Sequence, residues 1–109
     1  MAKLMIQYQQ PADKKGFEEY YFHTHAPLAQ KVPNVKGSSI NRVVKAQNIS
    51  LDLYMIIELE FENLQILQQT MATPEWNDVM QDAQNLDKFL NEPPIIVITE
   101  LPERESPLL

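Results

Sequence analysis

Between Leu51 and Phe61 the chain alternates without a break. Leu51, Leu53, Met55, Ile57, Leu59 and Phe61 fall on one side, and Asp52, Tyr54, Ile56, Glu58 and Glu60 on the other. Successive side chains of an extended strand point to opposite faces, so this segment predicts a strand that lays one face on a core. The period changes between Phe17 and Val32. With Phe17 at zero and about 100° per residue, Tyr21, Thr24, Leu28 and Val32 lie within about 60° of one line, the buried stripe of an amphipathic helix. Asp13 reads as its N-cap. Pro33 followed by Asn34 ends it, because asparagine is among the few residues that tolerate a left-handed turn.

The other elements are shorter. Leu4 to Tyr8 reads as a strand closed by Gln10-Pro11, and Ser38 to Lys45 as a second strand with a turn at Asn48. Glu62 to Met71 reads as helix. Thr73-Pro74-Glu75 starts another, threonine as cap and proline in the first turn, with Leu86, Phe89 and Leu90 on its apolar face. Pro93-Pro94 stops it before a last strand, Ile95 to Thr99. The resulting order, β-α-β-β-α-β, predicts an α+β ferredoxin-like fold, an antiparallel sheet with two main helices on one face. Residues 1–101 form the expected domain, and residues 102–109 a tail or arm. Leu4 to Ile6 and Ile95 to Ile98 are apolar on both faces, and Ile56 and Tyr54 share the second face of their strand. The open sheet face therefore invites a partner, most simply a second copy of the chain.

Composition narrows the function classes. Among 109 residues, 44% are hydrophobic and the formal net charge is −6. Nucleic-acid binding draws its affinity from Lys and Arg on phosphates, and the 9 such residues here are scattered, so no nucleic-acid partner is expected. The absence of cysteine excludes disulfides, thiolate metal sites and a cysteine nucleophile. No run approaches the roughly 18 apolar residues of a membrane span, and a cytoplasmic location is the default expectation.

Chemistry concentrates in YYFHTHAPLAQ, residues 20–30, which holds both histidines. On the helical wheel His25 lies about 80° from Phe17, at the edge of the buried stripe, and His23 about 120° to the other side, facing solvent. Residues two apart on a helix diverge, so the pair makes a poor metal clamp, and no metal is expected. Pro27 has no N–H for the carbonyl of His23 and is expected to bend the helix, opening space beside His25. An imidazole there can take up or release a proton at neutral pH. Tyr8 and Tyr54 are placed to present hydroxyls to such a cavity, and Phe22 and Trp76 to wall it. Glu58 is a candidate partner for His25 or Arg42, while the acids at 75, 78, 82 and 87 read as a solvated helix face.

Tyr20-Tyr21, then Thr24-His25-Ala26-Pro27-Leu28-Ala29, then the proline turn and Asn41-Arg42-Val43, with Thr73-Pro74-Glu75 before the last helix, resemble the EthD family. The resemblance implies a dimeric α+β barrel, two ferredoxin-like sheets packed face to face as a homodimer. It also implies kinship with cofactor-independent monooxygenases, isomerases, cyclases and haem-degrading proteins, and it carries one catalytic assignment, His25. The expected ligand is a small apolar or aromatic molecule. The roles left open are an acid–base enzyme without cofactor, using His25 with help from Tyr8 or Tyr54, and a non-catalytic ligand-binding or stress-related dimer. A haem site with His25 as axial ligand is a third.

Overall fold

The computed structural model describes residues 1–102. Strand β1 (Ala2–Gln9) leads into α1 (Lys14–Tyr20), a π-helical turn (Tyr21–His25) and α2 (Ala26–Ala29); β2 (Gly37–Arg42) and β3 (Leu53–Phe61) follow. Then come α3 (Leu64–Thr70), α4 (Pro74–Ala83), a 3₁₀ turn (Gln84–Phe89) and β4 (Ile95–Glu100). The sheet order is β2-β3-β1-β4 with every neighbouring pair antiparallel. Since β1 and β2 both run against β3, they are parallel to each other with β3 between them, which is the split βαβ arrangement of a ferredoxin-like fold. The tail expected from residue 102 lies, apart from Pro102, outside the described residues.

The strand alternation decides which face meets the helices. Leu4, Met55, Ile57, Leu59 and Phe61 are buried beneath them, together with Phe17, Leu67, Val79 and Leu86. Leu4 pairs across to Leu59 and Ile6 to Ile57, so one continuous apolar patch spans the central strands. The opposite face is more polar than expected. Met5, Ile56, Ile95 and Val97 share it with Lys3, which lies 3.4 Å from Glu58 and 3.8 Å from Glu60. Glu58 is thus occupied by Lys3 and partners neither His25 nor Arg42; Arg42 instead pairs with Glu18 at 2.8 Å.

Caps set the helix starts. Asp13 accepts from the Gly16 N–H at 3.0 Å, Asn63 from Ile66 at 2.8 Å and Thr73 from Trp76 at 3.3 Å, each satisfying an N–H that the helix leaves unpaired. Gly16 is required by proximity: a Cβ there would stand 2.4 Å from Asp13 Oδ2 and 2.8 Å from the Phe89 ring. Asn34 and Asn48 adopt φ of 68° and 61°, the left-handed conformations expected at both turns.

Two local irregularities depart from the simple periodic reading. Tyr8 pairs with Met55 but Gln9 with Leu53, so Tyr54 is the unpaired extra residue of a bulge. The bulge turns Tyr54 onto the helix side, where it is 2% exposed and meets Phe17 edge to face at 6.1 Å. In the first helix, the Ala26 N–H donates to the Tyr21 carbonyl five residues back. In a regular α-helix the Pro27 ring would press on the carbonyl of His23. The wide turn stands just before the proline, where the helix was expected to yield. It also resets the buried face: each i to i+4 step of an α-helix drifts by about 40°, and the wider turn cancels that drift. Phe17, Tyr21, His25, Ala29 and Val32 consequently lie in one inward row, and Thr24, expected on the stripe, is exposed.

Candidate active site

The inward row of the first helix does not rest flat on the sheet. Between it, α4 and the sheet lies a cavity of about 400 Å³. Leu4, Ile6 and Tyr8 from β1 and Ile57 and Leu59 from β3 form its floor; Tyr21, His25, Ala29, Val32, Trp76 and Val79 form its walls. Met71, Met80 and Ile96 stand at its rim, 40%, 44% and 50% exposed. The volume is two to three times the roughly 150 Å³ that accepts benzene in an apolar core and falls within the usual range of ligand sites.

His25 is buried, and its ring is pinned. Nδ1 lies 2.9 Å from Asp82 Oδ2, with only 5% of the His25 side chain and 11% of the Asp82 side chain exposed. The other carboxylate oxygen, Oδ1, accepts from the Tyr20 hydroxyl at 2.5 Å and from Asn85 Nδ2 at 3.1 Å. Burial alone would push the Asp82 carboxyl up. The hydrogen bonds from Tyr20, His25 and Asn85 outweigh it, and the carboxyl sits below its ordinary range. A carboxylate accepts only, so Nδ1 carries the proton and donates. Nε2 has no protein partner among the described residues, and no buried side-chain nitrogen or oxygen lacks one. Nε2 therefore reaches the cavity that the ring lines, with its lone pair free. The carboxylate behind the ring thus holds it in one tautomer, the one in which Nε2 can accept a proton.

Of the residues the sequence pointed to, His25, Tyr8 and Trp76 come together at the cavity. Phe22 does not: it is 44% exposed on the outer side of the π turn, its ring edge-to-face with Tyr21 at 5.4 Å. Tyr54 does not either, because the bulge carries its hydroxyl to Glu18, which accepts a short hydrogen bond from it. Burial and that bond push the Tyr54 hydroxyl up to about 12. Asp82, read as part of a solvated face, is the residue that orients His25; Glu75, Asp78 and Asp87 remain exposed. His23 is exposed as expected, and among the described residues no three acidic or histidine side chains converge on a common point that could hold a metal.

The comparisons with known proteins agree with this architecture. A family model described as the EthD domain matches residues 9–89. An uncharacterized 11.0 kDa protein of the thcB–thcC intergenic region of Rhodococcus erythropolis is 31% identical over 85 residues, 78% of this chain and 82% of that one. The crystal structure of an EthD family protein from Bacillus halodurans superposes with a TM-score of 0.79 at 35% identity, covering 92% of this chain and 97% of the other. A dimeric protein of ferredoxin-like fold from Bacteroides fragilis shares the fold at a TM-score of 0.61 and 14% identity, covering 91% of this chain and 94% of that one. The chain belongs to the EthD family.

Proposed function

We propose that the cavity binds a small apolar or aromatic molecule and that His25 transfers a proton to or from it, as general base through Nε2. One observation carries the reading. A buried imidazole is tied to a carboxylate by one nitrogen, while the other opens into an apolar space of ligand size. A histidine bonded to protein groups through both nitrogens would have none free for a ligand. Asp82 acts through His25, as a positioning residue: it fixes the tautomer in which Nε2 can take a proton. A placed base of this kind supplies about 10²–10⁴-fold in rate, which suits isomerisation, cyclisation, or removal of an acidic proton before attack by oxygen.

We also infer that the working unit is a homodimer with the open sheet faces in contact. Met5, Ile56, Ile95 and Val97 would be covered, and a ferredoxin-like relative in fold is described as dimeric.

The test is nitrogen-15 NMR of the His25 ring at pH 8, with and without a panel of phenolic and polycyclic compounds, using His25→Ala for assignment. The reading expects a protonated Nδ1, a bare Nε2, and an Nε2 resonance that moves with one class of compound. A ring protonated on Nε2, or one indifferent to every compound, would overturn it. Binding that survives His25→Ala, with no compound turned over by the native protein, would favour a non-catalytic ligand carrier.

A further inference from the structure

His25 is one polar feature of an otherwise greasy cavity, and two others are unaccounted for. Tyr8 and Tyr21 both line it and are 3% and 4% exposed. Their rings meet edge to face at 6.0 Å, and the Tyr21 ring lies 5.4 Å from that of His25. Neither hydroxyl has a protein partner among the described residues, yet no buried side-chain oxygen is orphaned. Each hydroxyl therefore touches open space; the large cavity is the hollow the two residues share, while Tyr8 also borders a smaller one beside Leu86 and Asp87 and Tyr21 another beside Gly37 and Ile40. A buried phenol normally finds a partner for its O–H. Two neighbouring ones that share a cavity and find none are donors held ready for something else.

We propose that the Tyr8 and Tyr21 hydroxyls form the oxygen-binding end of the cavity, so that the ligand is a flat apolar molecule bearing a carbonyl, enol or phenol oxygen. The proposal rests on the cavity being the ligand site. Its chemistry comes from the three groups together. His25 Nε2 takes a proton from carbon next to the carbonyl, or from the phenolic oxygen itself. The electron pair of the broken bond comes to rest on the substrate oxygen. The tyrosines donate hydrogen bonds to that oxygen without surrendering their protons, and the imidazolium returns its proton to carbon or oxygen in the reverse step. Donors aimed at the atom where charge develops are the most effective electrostatic aid to such a reaction. Burial keeps both tyrosines in the donor form: it pushes the Tyr21 hydroxyl up to about 12, and burial, with the Asp87 charge nearby, pushes the Tyr8 hydroxyl well up as well.

The experiment compares 2-naphthol with 2-methylnaphthalene, equal in shape and lacking the oxygen, by NMR titration of the native protein, Tyr8→Phe, Tyr21→Phe and the double variant. Each substitution is expected to weaken 2-naphthol about 3–10-fold, the worth of one net hydrogen bond, and to leave 2-methylnaphthalene unchanged or tighter. The hydrocarbon thus reports whether each variant keeps its cavity. Equal losses for both probes, or a 2-naphthol affinity indifferent to the tyrosines, would overturn the oxygen-binding end and leave the ligand cavity standing. Failure of both probes to bind the native protein would overturn the cavity reading and this proposal with it.

Discussion

Replacing Asp82 with alanine removes the acceptor on which three side chains converge, and their burial decides which of them suffers. Asn85 is exposed and the Tyr20 hydroxyl half-buried, so both can turn to water. His25 cannot, because its side chain is 5% exposed and its Nδ1–H has no second acceptor among the described residues. Stranding one buried donor costs about 1–3 kcal/mol, and Asp82→Ala is expected to lose that much, with a Tm lower by about 4–15 °C. The loss should depend on pH in a definite direction. The Asp82 carboxyl is held below its ordinary range in the folded protein. Its contribution is therefore complete above the unfolded-state value of about 3.9 and disappears as pH falls through the lower folded value. Urea unfolding of both proteins at pH 7, and at one protein concentration from pH 5 down to pH 3, should show that gap at pH 7 and its narrowing below about pH 4. A gap under about 0.5 kcal/mol at pH 7, no larger than a neutral surface change, or one that widens between pH 5 and pH 3, would refute the reasoning. Pairing the change with His25→Ala in a double-mutant cycle then isolates the coupling of the two groups.

Two further outcomes concern the frame around the site. Gly16→Ala should destabilise the protein by about 1–3 kcal/mol in the same unfolding assay, since its Cβ would displace both the capping carboxylate of Asp13 and the Phe89 ring; an unchanged midpoint would show that this contact yields freely. Asn34→Gly keeps the φ of 68° but loses the 3.0 Å bond to Thr70 Oγ1, whereas Asn34→Ala loses both. Alanine should therefore be the worse of the two by about 1 kcal/mol, and the reverse order would mean that the turn is not what Asn34 supports.

The elements were legible wherever local chemistry dictates them. Strict alternation placed β3 to within two residues, caps at Asp13 and Thr73 placed helix starts, and asparagines at 34 and 48 marked turns of positive φ. Misreadings came where one residue too many was inserted into a regular element. The π turn moved His25 from the edge of the stripe into the core and Thr24 out of it; the bulge moved Tyr54 to the other face. A fixed period of 3.6 or 2 cannot register either, because each inserted residue shifts the phase of the positions after it. Asp82 was missed for a different reason. It lies at the edge of the stripe of Trp76, Val79, Ala83 and Leu86, but Glu75 lies as near that stripe on the wheel. Only the approach of His25 from another helix, 57 residues away in sequence, separates them. Phe22 was placed beside His25 by angle alone, and the same shift of phase left it outside.

The rim of the cavity has a consequence of its own. Met71 and Met80 are exposed methionines that also line the cavity, at its rim. Their unbranched side chains bend to fit different shapes, so on the proposed reading selectivity would fall to the rigid rings at the buried end and size tolerance to the mouth. They are also the atoms that an oxidant diffusing toward or out of the cavity meets, and conversion to sulfoxide would make that entrance polar. Sulfoxide on Met71 and Met80, read by peptide mass spectrometry, is thus a record of what the cavity has been exposed to, and a bound occupant should be visible as its protection.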